Sequence, residues 1–227
     1  MKAIFKRELR SYFTTTAGYI FLAIFLSANG FLFSVFTLKS GAGSSVESYF
    51  TFFIMAFILL IPILTMKTFS EEKKAKTDQL LLTAPVSLFS IVMAKFLAAY
   101  TVFVSAIAIS CLNFLILFRY GSPSAAIVWG SVLSVLLIGA ACISVGVFIS
   151  ALTENQIVAA IVTMAVLLVM MMLSVLNAYI SVPFLRTVLN WFSLLNRFTN
   201  FSYGIFDFPA LIEVYGTYYA VRNIGGN

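Results

Sequence analysis

Long apolar runs alternate with short polar breaks along this chain. A helix rises about 1.5 Å per residue, so about 20 consecutive apolar residues cross a hydrocarbon core. Five runs meet that length: Tyr19–Leu38, Ser48–Met66, Phe96–Phe118, Ala125–Leu152 and Ile157–Leu176. None of the five contains Asp, Glu, Lys or Arg. The pattern predicts an all-α polytopic membrane protein, with five transmembrane helices in a single domain over residues 1–227.

The polar breaks have patterns of their own. In residues 1–18, Lys2, Lys6 and Arg10 recur every four residues, while Phe5, Leu9, Tyr12 and Phe13 line the other side. This predicts an interfacial helix lying in the headgroup plane, its cations toward anionic lipid. Residues 177–207 repeat the theme. Pro183 suits a first helical turn, Leu185, Val188, Leu189 and Phe192 share one face, and Arg186, Asn190 and Arg197 share the other. This segment reads as an outer-side interfacial helix or re-entrant hairpin. Residues 208–227 hold Pro209, Glu213, Arg222, Asn223 and three glycines, and read as a degenerate or truncated sixth span. A charge near the centre of a spanning helix costs about 2.5–3.5 kcal/mol.

Composition supports the bilayer reading. The 227 residues are 62% hydrophobic and 10% charged, against about 25% charged in a soluble domain. Mean hydropathy is +1.05. The net charge of +6 sits mostly beside the spans rather than in a nucleic-acid patch. Lys2, Lys6, Arg7 and Arg10 precede the first span, and Lys67, Lys73, Lys74, Lys76 and Lys95 lie between the second and third. The positive-inside rule makes both segments cytoplasmic, and the Thr153–Gln156 turn with them.

Candidate chemistry is sparse. There is no histidine, and Cys111 and Cys142 both lie in apolar runs. No phosphate-binding loop, zinc signature or nucleophile elbow occurs, so the chain has no ATP site, cofactor site or metal site of its own to point to. Ion-driven carriers place ionisable groups at mid-membrane depth, and these spans have none. Asn29 and Asn113 either line a pathway or bond between helices. Ala140 with Ser144, and Gly146 with Ser150, form a small-residue face that favours close helix packing.

The loop after the second run is the most specific segment. Ser70 suits a helix cap, Glu71 and Glu72 suit the first turn, and Glu72 pairs with Lys76 at i,i+4. Leu80, Leu81 and Leu82 follow, Pro85 stops the helix, and Ser87 suits the cap of the next, which runs through Lys95 into the third span. A short helix parallel to the membrane, held by leucines and exposing charge, is expected over residues 70–83. In a membrane protein without an energy source of its own, it reads as a docking site.

The stretch Glu71-Glu72-Lys73-Lys74-Ala75-Lys76-Thr77-Asp78-Gln79-Leu80-Leu81-Leu82-Thr83-Ala84-Pro85-Val86-Ser87, followed by Ile91-Val92 and Lys95-Phe96-Leu97-Ala98, resembles the signature of type-2 ABC exporter permeases. It is most similar to the gliding-motility and copper-processing group. Lys6-Arg7-Glu8-Leu9-Arg10-Ser11-Tyr12-Phe13 resembles that group's opening helix, and Asn200-Phe201-Ser202-Tyr203-Gly204 a segment near its end. The resemblance implies a permease of the bacterial cytoplasmic (inner) membrane, paired as a homo- or heterodimer, with six spans. It implies two cytoplasmic ATPase subunits that bind the ATP. It also implies an ATPase-coupling helix carrying Glu71, Glu72, Lys73, Lys74, Lys76, Thr77, Leu80 and Leu81. A second contact would lie at Thr153, Glu154, Asn155 and Gln156, and the second and fifth spans would line the subunit interface. Lys76, Gln79 and Ala94 depart from residues frequent in that signature. The alternative reading is a non-transporting membrane scaffold or a truncated, decayed permease.

Overall fold

The computed structural model describes residues 2–38, 46–76, 87–120 and 125–176. Among these residues the chain is helical apart from short joints, without strands. The helices are α1 (Lys2–Thr14), α2 (Thr16–Phe33), α3 (Val46–Thr65), α4 (Ser70–Lys74), α5 (Leu88–Ser110), α6 (Leu112–Tyr120), α7 (Ala125–Leu152) and α8 (Gln156–Leu176). The last turn of α2 widens into a π-helical turn at Ser34–Leu38. Five stretches are long and apolar enough to cross a membrane: Gly18–Phe36, Ser48–Lys74, Phe89–Leu115, Ile127–Leu152 and Gln156–Leu173. The molecule is an all-α, multi-pass membrane protein. The expected roles of Thr77, Leu80 and Leu81, the outer-side segment 177–207 and the tail 208–227 lie outside the described residues.

Four of the apolar runs match these helices closely; the third differs. Its helix begins at Leu88, as the Ser87 cap predicts, and carries Lys95, which is 1% exposed, into the apolar run that starts at Phe96. Hydropathy places a boundary at an ionic residue, but partners inside the protein allow this one to sit within the helix. The run is also interrupted. Cys111 caps α5, and α6 continues from Leu112.

Helices α3, α5 and α7 form the centre of the bundle, with α2 and α8 against α3. Their shared core is aromatic. The Phe25 ring meets Phe53 edge-on at 5.3 Å and Phe103 at 6.0 Å, and Phe57 meets Phe103 at 5.4 Å. Farther along, Phe33 meets Tyr49 at 5.9 Å and Phe50 stacks on Phe114 at 5.5 Å. Edge-to-face rings gain about 0.5–1.5 kcal/mol per pair beyond area burial. Lipid tails are as apolar as the helices, so contacts of this kind, rather than transfer from water, hold a membrane bundle together.

Chain direction alternates through the five long helices. The start of α2, the end of α3, the start of α5 and the α7–α8 turn consequently share one end of the bundle, with α1 and α4. Most of the described ionic residues gather at that end.

Candidate functional site

The chain leaves α3 through Met66–Phe69 and turns into α4. Ser70 is not the cap of this helix. Phe69 occupies that position, and the Ser70 hydroxyl donates back to the Met66 carbonyl. Two amides at the start of α4 are satisfied from another helix. Ser150 Oγ, near the end of α7, accepts from Phe69 N–H at 3.0 Å and from Ser70 N–H at 3.2 Å. This approach depends on the small-residue face read from the sequence. One turn earlier on α7, a Cβ at Gly146 would overlap the Thr65 side chain of α3. Gly146 and Ser150 thus let α7 come close enough to hold the α3–α4 corner.

α4 is shorter than expected. It ends at Lys74, and Lys76 takes φ 55°, the left-handed conformation that closes many helices. The helix expected over 70–83 is therefore not continuous past Ala75. Lys76 also leaves the face it would share with Glu72 at i,i+4. Ser87, by contrast, occupies the cap position of α5, with extended backbone and no side-chain cap bond.

Glu72 turns instead toward a charge cluster built around the buried Lys95. Lys95 Nζ lies 3.0 Å from Glu72 Oε2 and 3.4 Å from Glu8 Oε2 of α1. It also donates to the Thr68 carbonyl at 2.6 Å and sits 4.9 Å from the centre of the Phe69 ring. Arg7 closes the figure, with Nη2 at 2.8 Å from Glu8 Oε1 and 3.1 Å from Glu72 Oε1. Each carboxylate bridges the same two cations, so the four charges alternate and cancel. Glu8 is 14% and Glu72 20% exposed at the side chain. Lys95 is enclosed, which a charge tolerates only when paired and hydrogen-bonded. The hydrogen bond to Glu8, with the two nearby carboxylates, holds the Arg7 guanidinium pKa above its ordinary value against partial desolvation.

α1 reaches this cluster because Ile4, Phe5, Glu8, Leu9 and Tyr12 share its inward side, which packs chiefly on α5. The Tyr12 hydroxyl donates to the Leu64 carbonyl of α3 at 3.1 Å and lies 3.5 Å from Thr68 Oγ1. Burial pushes its pKa up to about 12. Phe13 does not share that side. It is 39% exposed and meets Tyr19, 59% exposed, edge-on at 6.3 Å.

The second predicted contact lies beside the first, since α4 touches both α7 and α8. Thr153 and Asn155 belong to the turn, and Gln156 opens α8. Asn155 caps α8, its Oδ1 accepting from Ile157 N–H at 2.9 Å. Glu71, Lys74, Lys76, Glu154 and Asn155 are exposed, while Glu72, Lys73, Thr153 and Gln156 are partly covered. Asn29 and Asn113 are elsewhere, toward the opposite end. Asn113 Nδ2 donates to Asn29 Oδ1 at 2.8 Å, and Asn29 Nδ2 donates to the Tyr49 hydroxyl at 2.6 Å. They form one hydrogen-bonded chain across α2, α3 and α6. Among the described residues no group of His, Cys, Asp and Glu has metal-site geometry.

In the sequence Arg7, Glu8 and Lys95 carry topology and family resemblance but no contact with one another, and Ser150 counts only as a small residue. A signal was present, however. Glu8 is the lone acid of a basic arm, and Lys95 is the lone charge of an otherwise apolar helix.

No curated protein matches the chain. A family model described as ABC-2 family transporter protein matches residues 23–225. The matched stretch starts within α2 and takes in α3 to α8, including the α3–α4 corner and the α7–α8 turn. With most of its length matched and a multi-pass helical bundle as its fold, the chain belongs to the ABC-2 family of transporter proteins, as a membrane permease domain.

Proposed function

We propose that this protein is the permease subunit of an ATP-driven exporter, and that α4 with the α7–α8 turn seats a separate ATPase subunit. ABC-2 permeases generally work with such a subunit. The observation that carries the reading is the fixing of α4. Three helices hold a five-residue element, through the Glu72 ion pairs with Arg7 and Lys95 and through the Ser150 bonds to its first amides. A short, charged, surface helix without a load to bear needs no such anchoring. Pushed from below, α4 would deliver force to α3 directly, to α5 through Lys95 and to α7 through Ser150.

The exposed residues fit a docking role. Glu71, Lys74 and Lys76 face outward beside Glu154 and Asn155, a mixed-charge rim suited to a protein partner. In the proposed orientation this end is cytoplasmic, in a bacterial inner membrane, and the permease works as a dimer. The gliding-motility and copper-processing group remains the sub-family its signature resembles.

The test is co-purification from native membrane in mild detergent, followed by mass spectrometry. A stoichiometric ATPase is expected with the wild-type chain. It should be lost from Lys73→Glu/Lys74→Glu, with membrane insertion unchanged. A wild-type chain that comes down intact with no ATPase would instead support the scaffold reading. Undiminished ATPase with the double variant would remove α4 as the contact.

A further inference from the structure

The cations of α1 divide into two sets. Arg7 is committed to Glu8 and Glu72. Lys2, Lys6 and Arg10 are exposed, and no ion pair joins them to any described residue. The charge cluster is internally neutral, so nothing in it compensates this outer row. At about 100° per residue, Lys2, Lys6 and Arg10 span about 80° of the helix surface. Phe13 falls within the same arc, about 20° from Lys2. The row therefore carries an exposed aromatic, which is paired with the exposed Tyr19 at the start of the first spanning helix.

Depth is fixed as well as composition. Thr15 alone joins α1 to α2, and its amide bonds back to the Ser11 carbonyl at 3.0 Å. Helix α1 cannot move away from the point where α2 enters the bilayer. Cations beside interfacial aromatics at that depth meet phosphate headgroups rather than bulk water. An acidic protein surface would match the charges but leave Phe13 and Tyr19 unexplained. Phospholipid matches both.

We propose that Lys2, Lys6 and Arg10 form a binding row for anionic phospholipid headgroups, and that α1 passes its occupancy to α4. One face of the helix holds lipid phosphate. The opposite face, two positions along from Lys6 at Glu8, grips Lys95, and Arg7 between them grips Glu72. Pinning the outer row limits rocking of the helix and so tightens the cluster that anchors α4. Anionic lipid thereby becomes a regulator of the docking element. The lipid site stands independently; its regulatory meaning rests on the docking role proposed above.

The experiment uses the full chain in nanodiscs of phosphatidylcholine, with and without phosphatidylglycerol. Native mass spectrometry measures the relative affinity for the first bound phosphatidylglycerol. Hydrogen exchange is followed at the backbone amides of residues 70–76. The wild type should prefer phosphatidylglycerol and protect residues 70–76 more when it is present. Lys2→Gln/Lys6→Gln/Arg10→Gln should lose both effects. Its affinity should fall on the order of a hundredfold, about fivefold for each cation removed near an anionic surface. Lys2→Arg/Lys6→Arg should retain both and shows that the helix tolerates substitution. No lipid preference in the wild type, or a preference unchanged in the triple variant, overturns the site. Preference without added protection overturns the relay to α4. A triple variant that keeps its lipid but loses the ATPase assigns the row to the protein partner instead. The lipid and exchange readouts need no ATPase, so they stand or fall separately from the docking proposal.

Discussion

Lys95 is the residue on which the charged end depends. Its ammonium is enclosed, with two carboxylates and a carbonyl around it. Lys95→Met keeps the apolar stem but leaves Glu8 and Glu72 facing each other with only Arg7 between them. Breaking a buried pair by removing one partner costs about 3–5 kcal/mol, and water reaching the two carboxylates puts this case at the lower end. The apparent melting temperature in detergent should fall clearly. Coupling with Glu72→Gln in a double-mutant cycle should exceed about 1 kcal/mol. Strict additivity would mean that the ion pairs contribute nothing. Tyr12 gives a test by pH. Its folded pKa, about 12, lies above the ordinary 10.0 because burial disfavours the phenolate. The folded state therefore holds the proton more tightly than the unfolded state. That stability is complete below pH 10 and is lost as pH rises through about 12. Wild type should lose its advantage over Tyr12→Phe across that interval. A difference that stays constant would place the hydroxyl in water.

At the scale of elements, the long helices were legible in the sequence and their joints were not. Twenty apolar residues have one structural solution in a bilayer, so α2, α3, α7 and α8 follow from hydropathy alone. The joints depend on residues far apart in the chain. Nothing local to Phe69 or Ser70 announces that Ser150 will cap them, and Ser70 is locally as good a cap as any. Lys76 at positive φ is illegible for a related reason, since glycine or asparagine is the usual marker of that conformation. Cys111 ends α5 without the proline or glycine that would flag a break. Lys95 was legible as part of the helix that Ser87 caps, but its burial was not, because the carboxylates that permit it lie on other helices. The small-residue face of α7, in contrast, was visible from spacing, and the structure gives it an object. Gly146→Ala adds a Cβ into the Thr65 side chain. Overpacking of this kind costs about 1–3 kcal/mol, and the α3–α4 corner should shift away from Ser150. Hydrogen exchange at residues 69 and 70 would rise in this variant while the far end of α3 stays protected. Equal protection at both would mean that the helices part without effort. Thr65→Ala should relieve the strain only in part, since the Thr65 Cβ itself would remain too close.

Across the whole molecule, two polar clamps bracket the aromatic core. The Arg7–Glu8–Glu72–Lys95 cluster ties α1, α4 and α5 at one end, and the Tyr49–Asn29–Asn113 chain ties α3, α2 and α6 at the other. α3 joins them, since it runs from Tyr49 to the corner that carries α4. A push on α4 therefore reaches the far end through α3, if α3 moves as a rod. Part of its remaining surface is apolar and exposed: Met55 and Leu59 continue a strip from Phe52, whose ring stacks on Phe36. The proposed dimer uses the second and fifth spans, α3 and α8, and this strip is the part of α3 left to meet a partner. The expected outcome is specific. In a chain whose Cys111 and Cys142 are replaced by Ala, Met55→Cys should form a disulfide-linked dimer in oxidised membranes. Ile24→Cys, on the exposed side of α2, should not, because α2 then faces lipid. Cross-linking through Ile24 and not Met55 would move the interface to α2. In that case α3 would meet lipid, and the force delivered through α4 would have to act within one subunit rather than between two.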